Sequence, residues 1–382
     1  MSLNQTVYLL KQRLGNLGGL EKYTWRIAHA FAKRNCPITI LTSDPIEQAH
    51  DHPLIHFRAL NCRYKLSVLR LQEFDKKVRH YLADNPSNIV FGMDRTRSQT
   101  HLRLGSGIHR AFLQTRHYTD SFFKQIVTPL NPLHRLILSI EKQSLENPKL
   151  RCLFTNSHMV KQEVLSYYKV DPSKIHVIHN GVEWYELQKE FDTWVERKPT
   201  IASNIHLDPT TYHFLFIGNG YQRKGLDVLL QALALLGKED FHLSVLGKEK
   251  KLSTYIDKTK KLGLAKKVSF YGQRSDVRKF YQLCDCLVIP SFYDPFANVT
   301  VEALAMGLFV ISSKSNGGHE VLTPSNGLIL DTLLDPTCLA SALKKALSTP
   351  KTWVNSQSLR SSVKHLDFSS QTTSLVDISL NS

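Results

Sequence analysis

The fold is decided by residues 213–247, which read HFLFIGNGYQRKGLDVLLQALALLGKEDFHLSVLG. An apolar run from Phe214 to Ile217 precedes a glycine-rich turn, and the segment from Leu226 to Leu236 places apolar residues at helical spacing. A second apolar run, from His242 to Leu246, follows the helical segment. A strand, a glycine turn, a helix and a strand in this order predict a βαβ unit, and therefore a parallel sheet.

The same alternation continues through residue 312 and is the strongest indication of fold class in the chain. The further elements predicted in this half are helix Lys251 to Leu262, strand Val268 to Tyr271, helix Asp276 to Leu283, strand Cys286 to Pro290, helix Thr300 to Met306, strand Phe309 to Ser312 and helix Cys338 to Ser348. From about Ser356 onward the sequence predicts a final helix and a frayed tail.

The first half of the chain repeats this order. The elements predicted there are strand Val7 to Leu10, a glycine-rich turn from Gly15 to Gly19, helix Leu20 to Lys33, strand Ile38 to Thr42, strand Ile89 to Gly92, strand Cys152 to Asn156, helix Ser157 to Tyr168 and strand Ile175 to Ile178. We therefore expect an α/β protein with two Rossmann-like parallel-sheet domains.

Two domains are also expected from the length, because 382 residues exceed what one hydrophobic core usually organises. The sequence changes character after His179, where a polar stretch runs to about Asp208 and is interpreted as the interdomain linker. We expect an N-terminal domain over residues 1–180 and a C-terminal domain over residues 181–360. Residues 361–382 are expected to form a helix and tail that return to the N-terminal domain.

The net charge of +16 is concentrated in the first half of the chain. Residues 1–180 hold 26 Lys and Arg against 13 Asp and Glu, a net charge of +13. Residues 181–382 hold 23 against 20, a net charge of +3. A basic surface suits an anionic partner, whether membrane phospholipid, phosphorylated glycolipid or nucleic acid. A charge that serves solubility alone is the alternative.

The composition disfavours a membrane-spanning protein and a protein built around a cysteine-ligated zinc site. No apolar run approaches the roughly 20 residues that span a bilayer, and the chain is expected to fold in the cytosol. None of the six cysteines lies in a C-x-x-C pair or at zinc-ligand spacing, and they are interpreted as reduced thiols. Cys284 and Cys286 flank Asp285, which leaves a redox role open.

Ligands bind at the carboxyl ends of strands in open parallel sheets. Three loops that follow predicted strands contain residues suited to binding phosphate. The first, from Gly15 to Glu21, has adjacent glycines and is equally well interpreted as a tight turn. The second, from Gly218 to Gly225, ends in Arg-Lys-Gly, so that two cations can lie beside a pyrophosphate. A solvated basic turn is the alternative interpretation.

The third loop leads from strand Cys286 to Pro290 into a helix, and it carries Asp294 before the helix and Glu302 within it. Two carboxylates eight positions apart can bind different hydroxyl groups of one ligand, while the N–H groups between them face phosphate oxygens. Glu302 as an ordinary surface residue is the alternative, which its apolar neighbours Val301 and Ala303 disfavour.

The segment from Asp294 to Gly307 resembles the E-x7-E signature of family-4 retaining glycosyltransferases, which have the GT-B fold of two Rossmann-like domains facing across a cleft. Three further motifs of that family are matched in the expected order by Gly18-Gly19-Leu20-Glu21, Asn180-Gly181-Val182 and Arg223-Lys224-Gly225. The resemblance covers nearly the whole chain. It extends to the bacterial lipopolysaccharide-core glucosyltransferases, which work at the cytoplasmic face of the inner membrane.

The resemblance implies a role for each matching residue. Arg223 and Lys224 would neutralise the diphosphate, Glu302 would bind the donor ribose, and Asp294 would hold sugar hydroxyls, although it is one methylene shorter than the usual glutamate. The implied catalytic residues are Arg223, Lys224, Asp294 and His109. The implied donor-binding residues are Gly18, Gly19, Gly218, Gln273, Arg274, Phe296, Ala297, Asn298, Val299 and Glu302.

The segment between Phe91 and His117 is rich in basic residues and is the region expected to bind the acceptor substrate. Members of the family place a histidine near the reacting carbon in this region, and His109 is the best match. Asp94 is the second candidate, and an ordinary polar histidine remains an alternative interpretation of His109.

The resemblance implies transfer of a hexose, glucose from UDP-glucose, to a hydroxyl of a glycolipid such as lipopolysaccharide core, with retention of configuration. The sequence contains no D-x-D pair, which is the usual carboxylate site for a divalent cation on a sugar diphosphate, so no metal is expected. Peripheral attachment to an anionic membrane is expected from the basic first half. The rival functions are a nucleotide-sugar epimerase or phosphorylase of the same fold and a basic nucleic-acid-binding protein.

Overall fold

The computed structural model describes residues 6–14, 19–44, 52–116 and 128–382. The chain forms two compact units. The first unit comprises Met1–His179 and Ser369–Ser382, and the second comprises Asn180–Phe368.

The first unit is built on a seven-stranded sheet in the order β3-β2-β1-β4-β5-β6-β7, in which every neighbouring pair is parallel. Its strands are β1 (Val7–Leu10), β2 (Ile38–Thr42), β3 (Ile55–Ala59), β4 (Val90–Gly92), β5 (His101–Leu104), β6 (Cys152–Thr155) and β7 (Ile175–Val177). Its described helices are α1 (Gly19–Ala32), α2 (Ser67–Asp84), α3 (His109–Thr115), α4 (Pro132–Leu145) and α5 (His158–Tyr167), with most of α14 (Phe368–Leu380).

The second unit is built on a six-stranded parallel sheet in the order β10-β9-β8-β11-β12-β13. Its strands are β8 (Tyr212–Ile217), β9 (Phe241–Leu246), β10 (Val268–Gly272), β11 (Cys286–Ile289), β12 (Phe309–Ser313) and β13 (Gly327–Leu330). Its helices are α6 (Gln188–Asp192), α7 (Trp194–Asn204), α8 (Leu226–Ala234), α9 (Leu252–Lys261), α10 (Val277–Leu283), α11 (Asn298–Ala305), α12 (Pro336–Leu347) and α13 (Trp353–Ser361).

Both sheets reverse their strand order next to the first strand of their unit. In the second unit β9 lies on one side of β8, and β11 lies on the other. The loops after Ile217 and Ile289 therefore leave adjacent strands at the same edge of the sheet, which is where open α/β sheets bind ligands.

The βαβ elements predicted around residues 213–247 are present, and their buried faces form the core. The side chains of Phe214, Phe216 and Leu229 are fully buried and belong to one apolar cluster. None of the described helices combines the length and the apolarity that crossing a bilayer requires.

The interpretation of the stretch up to Asp208 as a linker is wrong. It folds into α6 and α7, and the side chains of Phe191, Trp194 and Ile201 are buried in the core of the second unit. The indole of Trp194 also lies 4.4 Å from the ammonium of the buried Lys351. Three well-spaced apolar residues are enough to pack these helices, although the polar residues between them hide the pattern.

Strand β5 was not predicted, because its sequence alternates apolar with polar residues. Both polar side chains are nevertheless buried in the first unit and have partners. The Nε2 atom of His101 lies 2.8 Å from the hydroxyl of Ser382, and the guanidinium of Arg103 lies 3.5 Å from the ring centre of Tyr23. The basic run that contains Arg103 is therefore partly a strand.

Candidate functional site

Glycines shape the loop after β8 and set its distance from neighbouring loops. A Cβ atom on Gly218 would lie 2.9 Å from the Cγ of Lys224, so the glycine leaves the path of the lysine side chain open. Gly225 has a φ of 78°, and a Cβ atom there would lie 1.8 Å from the carbonyl oxygen of Pro290. Only glycine allows the two loops to approach this closely.

Arg223, Lys224 and Asp294 come together as the sequence predicted. The ammonium of Lys224 lies 2.6 Å from Oδ2 of Asp294, and Nη1 of Arg223 lies 3.2 Å from the same oxygen. Nη1 of Arg223 also donates to the carbonyl oxygen of Tyr293 at 2.7 Å. Burial raises the pKa of Asp294, but the two cations and their hydrogen bonds outweigh it and lower that pKa below its ordinary value.

Asn316, which the sequence analysis missed, holds the loop that carries Asp294. Its fully buried side chain accepts hydrogen bonds from the backbone N–H groups of Ala297 and Gly318 at 2.9 and 3.0 Å. The backbone N–H of Asp294 donates to Ser315, and the backbone N–H of Gly317 donates to Asp294. The loop after β12 thus forms a second layer under the loop after β11.

The start of α11 presents backbone donors beside this loop. The N–H groups of Asn298 and Val299 form no hydrogen bond with a described residue. Asn180 donates from its side-chain amide to Oδ1 of Asn298 at 2.6 Å and to the carbonyl oxygen of Phe296 at 3.3 Å. Phe296 and Ala297 are themselves buried in the apolar core, so their side chains support the loop.

Glu302 lies in α11 and is held by a residue that the sequence analysis did not single out. The hydroxyl of Tyr281, in α10, donates to Oε2 of Glu302 at 2.7 Å. The side chain of Tyr281 is 2% exposed, and burial together with the charge of Glu302 raises its pKa well above the ordinary value. Tyr281 therefore stays protonated and remains a donor.

The structure gives Gln273 and Arg274 no contact with the cluster around Asp294. Both side chains are exposed after β10. Arg274 forms a bidentate ion pair with Asp276, in which Nε and Nη2 each lie 2.8 Å from a carboxylate oxygen. Among the described residues, neither side chain bonds to Arg223, Lys224 or Asp294.

In the first unit, a buried lysine that the sequence analysis missed lies at the carboxyl end of β1. The ammonium of Lys11 lies 3.2 Å from Asp94 and 3.5 Å from Glu21, and the side chain is almost fully buried. The backbone N–H of Gln12 donates to Asp94 at 2.8 Å. Asp94, the second acceptor-side candidate, is therefore fixed in one orientation. Gly19 is the first residue of α1, and Gly18 lies outside the described residues.

His109 is the first residue of α3 and is buried in the first unit. Its Nε2 atom lies 3.0 Å from Nδ1 of His134, and its backbone N–H donates to Glu141 at 2.6 Å. Burial, and then the charges of Arg95, His134 and Arg116, lower the pKa of His109 to about 4. The imidazole is neutral at neutral pH and keeps one basic nitrogen.

Two family models match the chain in succession. The model described as Glycosyltransferase Family 4 matches residues 17–183, and the model described as Glycosyl transferases group 1 matches residues 198–358. Each model covers one of the two predicted domains almost entirely.

Two curated relatives illustrate the sequence similarity. An uncharacterised glycosyltransferase of Methanocaldococcus jannaschii is 30% identical over 173 residues, which cover 44% of this chain and 44% of that protein. The match thus spans less than half the length of this relative. The lipopolysaccharide glucosyltransferase WaaG of Escherichia coli is 22% identical over 339 residues, which cover 87% of this chain and 86% of WaaG.

Solved structures share the fold. A crystal structure of WaaG, described as a glycosyltransferase involved in lipopolysaccharide biosynthesis, has a TM-score of 0.78 at 18% identity and covers 98% of this chain and 100% of that chain. Anabaena HepE in complex with UDP-glucose has a TM-score of 0.69 at 17% identity, with coverage of 99% and 100%. The predicted GT-B fold class is confirmed. With both family models matched in order, the chain belongs to the family-4, or group 1, glycosyltransferases.

Proposed function

We propose that the protein is a retaining, metal-independent glycosyltransferase that moves a hexose from a nucleoside diphosphate sugar, UDP-glucose, to a hydroxyl of a glycolipid such as lipopolysaccharide core. The observation that carries this proposal is the convergence of Arg223, Lys224 and Asp294 in the loops at the carboxyl ends of the adjacent strands β8 and β11. Two cations at a sheet switch point, beside backbone N–H groups that bond to no described residue, suit the charge of a pyrophosphate.

Arg223 and Lys224 bind the diphosphate and stabilise the charge that develops on it as the sugar departs. The guanidinium supplies directional hydrogen bonds, and the ammonium supplies a compact charge. Both groups are fixed before the donor arrives, which makes them effective in the transition state. The N–H groups of Asn298 and Val299 complete the phosphate site from the start of α11.

Asp294 combines two tasks in this proposal. Its Oδ2 atom accepts from both cations, whereas Oδ1 accepts no hydrogen bond from a described residue. The Oδ1 atom is thus available to the sugar hydroxyls, and the carboxylate connects sugar position to phosphate position. Glu302 binds the ribose, with Tyr281 holding its carboxylate in one orientation.

Fixed cations supply the charge stabilisation that a divalent metal would otherwise give, which supports metal independence. Retention follows from front-face displacement, in which a donor phosphate oxygen accepts the proton of the acceptor hydroxyl. In the first unit, the neutral His109 is the first candidate for the group near the reacting carbon, and the oriented Asp94 is the second. The basic charge of that half supports peripheral attachment to the cytoplasmic face of an anionic membrane.

The test is a calorimetric screen of sugar nucleotides, with and without EDTA. We expect UDP-glucose to bind in both conditions and Glu302→Ala to weaken its binding about tenfold or more, because ribose hydroxyls lose a charged acceptor. Glu196→Ala, an exposed position on α7, is the matched control and should bind like the parent chain. Absence of binding to every sugar nucleotide would overturn the proposal.

A second measurement tests the stereochemistry. With a bound donor identified, NMR of the product from a glycolipid acceptor should show the anomeric configuration of the donor. An inverted product would exclude the retaining mechanism, and donor conversion without acceptor would favour an epimerase.

A further inference from the structure

The segment that leads into α2 and the first turn of that helix expose apolar side chains on a fixed backbone. Tyr64, Leu66 and Leu69 expose 53%, 64% and 39% of their surface. The carboxylate of Glu73 accepts hydrogen bonds from the backbone N–H groups of Arg63 and Tyr64 at 2.8 and 3.2 Å. The segment is therefore tied back to α2 and presents these side chains outward in one arrangement.

The outward face of α2 changes from apolar to cationic along its length. Leu69, Gln72, Lys76 and Arg79 follow one another at spacings of three and four residues, which places them on one face. The opposite face, which includes Leu71, Phe74 and Val78, is buried in the first unit. The packing of α2 is thus satisfied without the outward face.

A cationic pocket lies at the second half of this face. Its volume is about 370 Å³, and its lining residues are Gln72, Asp75, Lys76, Arg79, Arg97 and Gln143. The buried Asp75 accepts from the guanidinium of Arg97 at 2.6 Å and from its backbone N–H at 2.8 Å. Nε of Arg97 donates to Gln143 at 2.7 Å. Arg97 is therefore a preorganised cation at the wall of the pocket.

The charges of the pocket do not cancel. Three cations line it, and its one carboxylate, Asp75, is engaged by Arg97 and lies 3.6 Å from Arg79. Lys76 forms no ion pair with a described residue. The pocket therefore carries a net charge of about +2 and has room for a phosphate group.

We propose that these two features form one docking surface for an anionic phospholipid bilayer. This α2 surface consists of Tyr64, Leu66, Leu69, Lys76, Arg79 and Arg97. The three apolar side chains enter the boundary between headgroups and acyl chains, and the pocket binds a lipid phosphate. The inference deepens the membrane attachment of the proposed function and assigns it to a particular surface.

Helix geometry allows both contacts at the same depth. Residues 69 and 79 lie about 15 Å apart along the axis, so α2 lying in the membrane plane brings both ends to the headgroup level. A tyrosine and flanking cations such as Lys65 are suited to that level, because their apolar parts enter and their polar ends stay hydrated. A nucleic acid would match the cations but would leave Leu66 and Leu69 uncovered.

Vesicle flotation of the full chain tests the surface. The vesicles are phosphatidylcholine alone and phosphatidylcholine with phosphatidylglycerol. We expect the parent chain to float with the anionic vesicles only. The apolar variant, Tyr64→Ser with Leu66→Ser, should bind about tenfold less, because two side chains lose their burial in lipid. The pocket variant, Lys76→Gln with Arg79→Gln, should lose about tenfold and most of its salt dependence.

Matched changes in the second unit are the controls. Leu334→Ser with Val354→Ser removes two apolar side chains that are 76% and 78% exposed. Lys344→Gln with Lys345→Gln removes two exposed cations. Both controls should float like the parent chain. Equal flotation of all variants, equal losses in the controls, or salt-sensitive binding to RNA with no vesicle binding would each overturn the inference.

Binding of UDP-glucose, measured on the same variants, separates this inference from the proposed function. The α2 variants should bind the donor like the parent chain. A parent chain that floats through the α2 surface but binds no sugar nucleotide would contradict the proposed function alone.

Discussion

Lys224 and Asp294 form a buried ion pair, with Nζ and Oδ2 separated by 2.6 Å and the two side chains 9% and 12% exposed. Asp294→Asn leaves the ammonium without its counter-charge, which typically costs about 3 kcal/mol or more for a buried pair. We expect a lower free energy of unfolding in urea. The folded state lowers the pKa of Asp294 below its ordinary value of 3.8. The loss of unfolding free energy in Asp294→Asn should therefore be complete above pH 3.8 and should shrink as the pH falls below 3.8.

Lys224→Met tests the role of the ammonium in the transition state. The substitution keeps the aliphatic chain that packs along Gly218 and removes the charge. We expect kcat to fall about 10²-fold or more, because the charge on the departing diphosphate loses a fixed cation. Lys314→Met, on an exposed lysine after β12, is the control. An equal kcat in Lys224→Met would exclude the ammonium from leaving-group stabilisation.

Tyr281→Phe tests the positioning of Glu302. The change removes one hydroxyl and leaves the ring packing intact, so Glu302 loses a donor at 2.7 Å. We expect the dissociation constant of UDP-glucose to rise about tenfold, with a smaller change in kcat, because hydrogen bonds to charged groups contribute about 1.5 kcal/mol. Tyr255→Phe removes a buried hydroxyl bonded to Asp227 and should leave donor binding unchanged. Equal affinities in all three chains would refute the positioning role.

Gly225→Ala should be far more damaging than Gly237→Ala. Both glycines have positive φ, at 78° and 65°, so both alanines cost about 1 kcal/mol of backbone strain. Only at position 225 does the added Cβ meet another atom, the carbonyl oxygen of Pro290 at 1.8 Å. We expect Gly225→Ala to lower stability by about 3 kcal/mol or more and to displace Arg223. Similar melting temperatures of the two variants would show that the loops can separate freely.

Three buried histidines should make the chain sensitive to acid. Burial is the main cause that lowers the pKa of His101, His109 and His242 from 6.5 to about 4. Between these values the unfolded imidazoles bind protons that the folded ones do not, so stability falls as the pH drops below 6.5. His242→Gln should reduce this slope by about one proton in denaturation series at several pH values. His80→Gln, at a histidine side chain that is 87% exposed, is the matched control.

The local part of the candidate site was predictable from sequence. Arg223, Lys224 and Asp294 follow strands whose apolar runs are unambiguous, and parallel strands bring such loops to one edge. The supporting residues were not predictable, because their roles arise from tertiary contacts. Tyr281 precedes Glu302 by 21 positions, and Lys11 precedes Asp94 by 83. No motif in the sequence singles out Tyr281 or Lys11 as the partner of these carboxylates.

Strand β5 and helices α6 and α7 were missed for different reasons. In β5, the buried His101 contacts the hydroxyl of Ser382, and the buried Arg103 lies over the ring of Tyr23. These two partners are far apart in the sequence. In α6 and α7, three large apolar residues carry the packing of a mostly polar stretch. Local hydrophobic periodicity fails in β5, since tertiary partners compensate for its buried polar groups. It is weak in α6 and α7, since few apolar residues mark their buried faces.

Residues Ser369–Ser382 complete the first unit, although the whole second unit precedes them in the chain. A ribosome releases these residues only after it has made the second unit. The first unit therefore cannot complete its packing until they have been synthesised. The second unit is continuous and can fold as soon as it emerges. The order of translation therefore favours maturation of the second unit first, with the first unit incomplete until Ser369–Ser382 have emerged.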